Sequence, residues 1–388
     1  MKRTLLSLGL TLTLIATLAC RSGGGGNSAG DAKPADTGNI RVGVYADLSG
    51  QTKSSGESIK NGVELAADQI NQAGGIQGRK LELIVEDDKG LPDQAATAVS
   101  KLVSQNQVHA VVGEVSAQSS LTAAPKAQEA KVPMITLTTA NPDLTRVGDY
   151  IFRVASPDSL QGEEMAKYAA DNLKAKTAAI LSEDNSDYSR ALAQSFEENF
   201  VKLGGQVTEK QSYAPTDQDF KKQLEPLRSS NPDVIYIPGS YKQAGVIAKQ
   251  AEELAIKSIL LGADGWNDPQ LFHLGGNALD GTYITSHYSA DDPTQMVRDF
   301  TSAYKKRYGN APDQTAALAY DAMKVLADAI TRAGASDRAK LRDALAQTTK
   351  FSGVTGTITI NAERNGSRPM VIFKLREGKI IPVYRAEV

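Results

Sequence analysis

Cysteine and histidine are both scarce in this sequence. Cys20 is the only cysteine among 388 residues, so the chain cannot form an internal disulfide. The three histidines are His109, His273 and His287, and none has a second histidine at the spacing of metal ligands. An isolated histidine is more often a structural residue than a ligand. We therefore expect no metal site built on histidine or cysteine.

Common catalytic motifs are also missing. The sequence has no glycine-rich phosphate loop, no Gly-x-Ser-x-Gly elbow and no His-Glu-x-x-His helix, so we expect neither an enzyme nor a cofactor. The acidic stretches at 86–88 and 183–187 suggest calcium at first, but the second lacks the glycine and the final glutamate of a calcium loop. Turns and helix caps are the alternative explanation for both.

The charge balance excludes another class of partner. Lysine and arginine number 43 against 45 acidic residues, and the two signs are interspersed without a basic patch. Nucleic-acid binding proteins depend on such a patch to neutralise phosphates, so we expect no nucleic-acid partner. After the short apolar run near the N-terminus, no segment is long and apolar enough to cross a membrane.

The N-terminal segment has the pattern of a secretory signal. Basic residues precede an apolar run from Leu5 to Ala19, and Thr17-Leu18-Ala19-Cys20 resembles a bacterial lipobox. We expect a lipoprotein signal peptide at 1–19, a lipid on Cys20 and a Gly- and Ser-rich tether at 20–38. Such a protein is anchored outside the cytoplasm by its lipid alone, in the periplasm or on the cell surface. The alternative is a longer signal peptide that is cut beyond Cys20.

Strand and helix patterns alternate along the rest of the chain, which predicts an α/β protein with parallel sheets. A body of about 350 residues exceeds one hydrophobic core, so we expect two lobes. The first series has strands at 40–46, 81–85, 110–112, 133–136 and 150–154, with helices at 56–72, 92–105 and 119–130. The second begins after Pro157 with a helix to 173, and continues with strands at 178–181, near 207, at 234–237 and 259–261, and helices at 188–203, 218–228 and 243–254.

The order of elements changes near the C-terminus. Helices follow one another between 294 and 348, and short strands after 355 are broken by Asn365-Gly366 and Glu377-Gly378, which favour hairpins. If the late helices pack on the first lobe and the last strands on the second, the chain crosses between the lobes three times. We then expect an N-terminal lobe of 39–155 plus 288–352 and a C-terminal lobe of 156–287 plus 353–388.

Ligands of open α/β sheets lie beyond the carboxyl ends of the strands. In the first lobe the loops at 113–120 and 136–142 offer hydroxyl side chains and helix N-termini, whose backbone N–H groups can hold a carboxylate. In the second lobe the corresponding loops offer Tyr188, Tyr241, Asp264 and Trp266, so an acid faces a carboxylate-binding loop, as suits a zwitterion. Plain capping for the hydroxyls, a turn role for Asp264 and core packing for Trp266 are the alternatives.

Several motifs, taken in order, resemble the branched-chain amino-acid (Leu/Ile/Val) binding protein family. They are the segments 62–66, 71–78, 148–153 and 262–266, together with Gly113, Ala124-Pro125 and Asn141-Pro142. The resemblance covers nearly all of 39–388. It implies the type I periplasmic-binding-protein fold, with two Rossmann-like lobes joined by three crossovers. It also implies a protein that delivers an amino acid to the permease and ATPase of an ABC importer. We expect such a ligand-delivering pair of lobes to be a monomer.

The resemblance also assigns residues. The family's acid for the ligand ammonium falls on Asp264, and its two cleft tyrosines fall on Tyr188 and Tyr241. The first lobe departs from the pattern, since two usual hydroxyl positions are Ala117 and Ala140.

Ala117 and Ala140 keep their backbone N–H groups, and the neighbouring hydroxyls of Ser116 and Thr138 are candidates to replace the missing ones. Ser55 takes the place of an aromatic that lies over the ligand side chain in related proteins. A ligand other than leucine, isoleucine or valine is therefore open. A sensor of a small amide, urea or aromatic acid that reports to a signalling partner is the alternative function.

Overall fold

The computed structural model describes residues 38–114, 116–137, 141, 143–268, 270–334, 337–368 and 370–386. The expected signal peptide, Cys20 and the tether up to residue 37 lie outside the described residues. Among the described helices, none combines the length and the apolar character needed to cross a bilayer.

The first half of the body is a parallel sheet covered by helices. Five strands lie in the order β2-β1-β3-β4-β5, and every neighbouring pair is parallel. Buried valines of β1 such as Val42 and Val44 explain the strand, because a parallel sheet is covered on both faces. In chain order the elements are β1 (Ile40–Ala46), α1 (Lys53–Gln72), β2 (Leu81–Asp87), α2 (Pro92–Ser104), β3 (Ala110–Val112), α3 (Ala117–Glu129), β4 (Met134–Thr136), α4 (Asp143–Arg146) and β5 (Ile151–Arg153).

The second half repeats the alternation. Its elements are α5 (Asp158–Asp171), β6 (Thr177–Glu183), α6 (Asp187–Lys202), β7 (Gln206–Tyr213), α7 (Lys221–Ser230), β8 (Val234–Tyr236), α8 (Tyr241–Glu253), β9 (Ile259–Gly262), α9 (Gln270–Gly275) and β10 (Tyr283–Ser286). The chain ends with α10 (Gln295–Tyr308), α11 (Gln314–Ala333), α12 (Arg338–Ala346), β11 (Phe351–Gly353), β12 (Gly356–Ile360), β13 (Gly366–Ser367), β14 (Val371–Arg376) and β15 (Lys379–Arg385).

The second sheet is mixed rather than purely parallel. Seven strands lie in the order β15-β14-β10-β9-β8-β6-β7, and the last two strands of the chain, β14 and β15, join it in antiparallel pairing. We call the elements packed around the five-stranded sheet the first lobe, and those around the seven-stranded sheet the second lobe. The α/β class and the two-lobe fold are thus confirmed.

The late helices return to the first lobe. Met323 and Leu326 of α11 share a core with Val42 and Val44 of β1. The two helices α1 and α11 approach so closely that a Cβ on Gly62 would lie 2.3 Å from the carbonyl oxygen of Ala316. Only glycine permits that approach.

The chain therefore passes between the lobes three times. It leaves the first sheet after β5, returns after β10, and leaves again before β14. Ile358 and Ile360 of β12 still lie in the core of the first lobe. The boundary expected after residue 352 stays a prediction.

Both predicted hairpins are present, but only one of the two turns lies where it was expected. Glu377 and Gly378 have positive φ angles and form the turn between β14 and β15. Asn365-Gly366 is not a turn. The reversal occupies 361–364, and Gly366 already pairs with Ile360 of β12. Gly366 is required instead by close packing, since a Cβ there would lie 2.0 Å from the carbonyl oxygen of Val154.

Candidate ligand-binding site

Asp264 lies at the carboxyl end of β9, in a short 3-10 turn that runs from Asp264 to Trp266. The hydroxyl of Tyr188, at the start of α6, donates to Asp264 Oδ1 at 2.6 Å and accepts the N–H of Gly265 at 3.0 Å. The side-chain oxygen of Gln161, on α5, accepts the backbone N–H of Asp264 at 3.2 Å. Both the turn and the carboxylate are therefore held in place by neighbouring elements.

The second oxygen of Asp264 has a partner from the other lobe. Gln314, the first residue of α11, donates from Nε2 to Asp264 Oδ2 at 3.1 Å. A carboxylate has about four acceptor positions, so two hydrogen bonds leave room for a ligand donor. Asp264 is half-buried, which makes an added donor worth more than it would be in open water.

A second acid lies beside the first. Burial raises the pKa of Asp158 well above its usual range, the negative charge of Asp264 adds to the increase, and Arg153 opposes it. Burial likewise raises the pKa of Tyr188 well above its ordinary value, and the charge of Asp264 adds to that shift. Tyr188 therefore stays protonated and remains a hydrogen-bond donor. The wall of the second lobe suits a cationic group of a ligand.

The first lobe contributes the N-terminus of α3. The side-chain oxygen of Ser116 accepts the N–H of Ser119 at 3.2 Å, so Ser116 is the N-cap, and its own N–H donates to Glu114 at 3.2 Å. Ala117 and Gln118 are exposed, and no described residue accepts a hydrogen bond from their backbone N–H groups. Two N–H groups at the positive end of a helix dipole can bind a carboxylate.

The structure brings together Tyr188 and Asp264, whereas the side chains of Trp266 and Tyr241 have other contacts. Trp266 is fully buried in the core of the second lobe, where its Nε1 donates to the carbonyl of Ile237 at 3.1 Å. That position favours the packing role over ligand contact. Tyr241 starts α8 and is half-buried, with its ring packed against the same core. Thr138 and Ala140 lie outside the described residues.

Sequence reasoning missed three residues, Asp158, Gln161 and Gln314. Gln161 reaches Asp264 across 103 residues and Gln314 reaches it across 50, so no local pattern reveals either contact. The start of α5 directly after a strand of the first sheet is the one signal that pointed to Asp158.

The acidic stretches prove to be turns. Asp87 accepts the backbone N–H groups of Leu48 and Lys89, both at 2.9 Å. Across the described residues, no group of three or more histidine, cysteine, aspartate or glutamate side chains has the geometry to hold a metal ion.

Two α/β lobes with a half-buried carboxylate on one and an exposed helix N-terminus on the other are typical of solute-binding proteins. A family model described as periplasmic binding protein matches residues 39–379. Leu/Ile/Val-binding protein homolog 3 of Brucella melitensis is 32% identical over 349 residues, which are 88% of this chain and 93% of that protein.

Two solved structures of binding proteins are also similar to this chain. The leucine-binding protein LivK from Thermotoga maritima has 33% identity and a TM-score of 0.76, covering 89% of this chain and 98% of its own. LivJ from Streptococcus pneumoniae, in complex with isoleucine, has 30% identity and a TM-score of 0.78 over 89% and 99% of the two chains. The chain belongs to the branched-chain amino-acid family of periplasmic binding proteins. Members of this family are solute-binding proteins of ABC transporters, and membership implies an extracytoplasmic location.

Proposed function

We propose that this protein is a lipid-anchored solute-binding protein that captures an α-amino acid, branched-chain or related, between its two lobes and delivers it to the permease of an ABC importer. It performs no chemistry on its cargo. The observation that carries the proposal is the Asp264 carboxylate, oriented by Tyr188 and Gln314 and left with free acceptor positions. A half-buried carboxylate of this kind favours a cationic partner, and the ammonium of an amino acid supplies one.

The α-carboxylate of the same ligand is assigned to the first lobe. The backbone N–H groups of Ala117 and Gln118 are its proposed donors, with the hydroxyl of Ser116 beside them. Backbone donors do not depend on the side chain, which explains how alanine at position 117 is compatible with binding. Thr138 and Ala140 are proposed to line the same wall, and Tyr241 to line the opposite one.

Closure of the two lobes follows from the assignment of the ligand's ammonium and carboxylate to different lobes. A ligand that uses donors from one lobe and acceptors from the other binds the closed form more tightly than the open one. It therefore shifts the population toward closure. The permease is proposed to recognise the closed form, and the protein to act as a monomer.

A thermal-shift series tests the ligand class. We expect L-leucine, L-isoleucine, L-valine, L-threonine or L-alanine to raise the melting temperature in a concentration-dependent manner, because such a ligand binds only the folded state. Urea, short amides and benzoate serve as the comparison. Stabilisation by these compounds alone would overturn the amino-acid assignment and favour a sensor of amides or aromatic acids.

A separate experiment tests the anchor. Cys20→Ser removes the proposed lipid attachment, so we expect the protein to move from the membrane fraction to the soluble extracytoplasmic fraction. Labelling with a radioactive fatty acid gives a second readout. An unchanged distribution without lipid incorporation in the parent protein would contradict the anchor and leave the ligand site untouched.

A further inference from the structure

Gln314 belongs to the first lobe by its backbone. Asp313, the residue before it, caps α11 by accepting the N–H of Ala316 at 2.7 Å, and it also accepts the hydroxyl of Ser58, on α1, at 2.6 Å. The close contact between Gly62 and Ala316 fixes the same turn of α11 against α1. The start of α11 therefore moves with the first lobe.

The side chain of Gln314 is bound entirely by the second lobe. Its Nε2 donates to Asp264 Oδ2 at 3.1 Å, and its Oε1 accepts the hydroxyl of Ser286 at 2.6 Å and the N–H of His287 at 3.3 Å. Ser286 ends β10 and His287 is the residue that follows it. One amide thus joins the binding acid to the end of a neighbouring strand.

The chemistry of an amide matters here. A lysine or arginine at this position would neutralise Asp264 and compete with a cationic ligand. A neutral amide orients the carboxylate, as the hydroxyl of Tyr188 does on the other oxygen, and leaves its negative charge for the ligand. Burial raises the pKa of Asp158, which lies beside Asp264, and so favours its neutral form.

We propose that Gln314 is a positioning residue, contributed by the first lobe, that orients the binding carboxylate Asp264 only when the two lobes are together. Separation of the lobes breaks all three hydrogen bonds of the Gln314 side chain. The carboxylate is then less well oriented for an ammonium group. Affinity for the cationic end of the ligand is thereby coupled to closure. Only the test that compares the binding of two ligands rests on the proposed amino-acid ligand.

The first test uses the full-length protein, both without ligand and with saturating L-leucine, because the proposed bonds form only when the lobes are together. Gln314→Met keeps the length of the side chain but removes both hydrogen-bonding groups. Hydrogen exchange measured by mass spectrometry should become about three- to tenfold faster at 264–268 and 286–289, as expected for hydrogen bonds of typical net strength.

Gln77→Met is the matched control, because Gln77 Nε2 donates to the carbonyl of Thr331 at 3.1 Å near the other end of α11. This variant should leave exchange at both segments unchanged. Gln314→Ala is the second variant in case Gln314→Met fails to fold. Exchange that is the same in the Gln314 variants and in the parent protein, both without ligand and with saturating L-leucine, would overturn the proposal.

The second test separates orientation from general closure. L-Leucine and 4-methylpentanoic acid differ only in the ammonium group. Gln314→Met should weaken L-leucine binding about fivefold or more and change 4-methylpentanoate binding less, because only leucine uses Asp264. Equal losses for both probes would show a role in closure alone and overturn the positioning role. Failure of L-leucine to bind the parent protein would count against the proposed ligand class, while the exchange experiment still decides the role of Gln314.

Discussion

At the scale of single residues, the site depends on how Asp264 is surrounded. Its carboxylate receives one hydrogen bond from each lobe, while its backbone N–H is bound by Gln161. Gly265 must be glycine, because a Cβ there would lie 2.6 Å from the carbonyl oxygen of Gly239 and 3.2 Å from the Tyr188 hydroxyl. The acid is thus preorganised, which reduces the ordering cost that a ligand must meet.

Replacement of Asp264 by asparagine should reduce amino-acid affinity sharply. The change keeps the shape of the side chain and removes the charge that pairs with the ammonium, a loss of about 2 to 5 kcal/mol for a desolvated pair. Isothermal titration calorimetry measures this loss of affinity. Asp187 is exposed at the start of α6, so the control variant Asp187→Asn should bind as the parent protein does. An Asp264→Asn variant with unchanged affinity would remove this residue from the site.

At the scale of elements, the proposed carboxylate site at the N-terminus of α3 is tested more sharply by removing a backbone N–H group than by changing side chains. Proline is tolerated at the first position of a helix, and it removes one N–H. Ser116 has φ −74° and ψ 124°, the extended conformation that a residue before proline adopts. The substitution Ala117→Pro therefore removes a single proposed donor without disturbing the helix.

Ala117→Pro should weaken binding of carboxylate-bearing ligands about tenfold or more, since hydrogen bonds to charged groups contribute about 1.5 to 3 kcal/mol. The melting temperature of the free protein should stay within a few degrees of the parent value. Ala117→Gly keeps the N–H and should retain affinity. Equal affinity in the proline and glycine variants would place the ligand carboxylate elsewhere.

The turn after β2 provides a prediction about stability. Asp88 is fully buried, and only one of its oxygens accepts a hydrogen bond, from the N–H of Gly90 at 2.9 Å. Burial, supported by the charges of Asp47 and Asp87, raises the pKa of Asp88 to about 6. A pKa raised in the folded state means that stability is fully present at low pH. It is lost as the pH rises toward this value.

Asp88→Asn cannot ionise, so the variant and the parent protein should differ little in unfolding free energy near pH 4. The variant should be more stable by about 2 kcal/mol near pH 7. Urea unfolding at a series of pH values measures the difference. Asp93→Asn, on the exposed first turn of α2, should show no comparable dependence on pH. If the unfolding free energies of Asp88→Asn and the parent protein differ by the same amount at every pH, the raised pKa of Asp88 is refuted.

At the scale of the whole molecule, the lobes are linked through more than the chain itself. The buried guanidinium of Arg368 donates to the carbonyl of Val154 and to the hydroxyl of Thr355, so segments from two of the three passages share one side chain. A joint held in this way favours rotation of two rigid lobes over sliding.

Small-angle X-ray scattering should show the result of that rotation. Any open molecules present without ligand should close when a saturating amino acid is added, so the radius of gyration should fall or stay constant and never rise. Asp264→Asn should show no ligand-induced change under the same conditions. Expansion of the parent protein on addition of ligand would contradict closure.

Sequence reasoning predicted the alternation well because each buried strand and amphipathic helix is a local pattern. Helix ends were less accurate: α1 begins at Lys53 rather than Gly56, and α7 begins at Lys221 rather than at 218. Asp264 and Tyr188 were predicted because both follow strands. Gln314 was not, because its role depends on packing between α11 and α1 that no nearby residue reveals.

The return of the late helices has a consequence for biosynthesis. The core around β1 includes Met323 and Leu326, which the ribosome adds only after all the strands from β1 to β10. Until then the early strands lack much of the apolar surface that would bury them, and pairing of segments so distant in sequence is slow. The first lobe of a nascent chain should therefore remain unfolded until α11 has been made, which is the state that a secretion channel for unfolded polypeptides accepts.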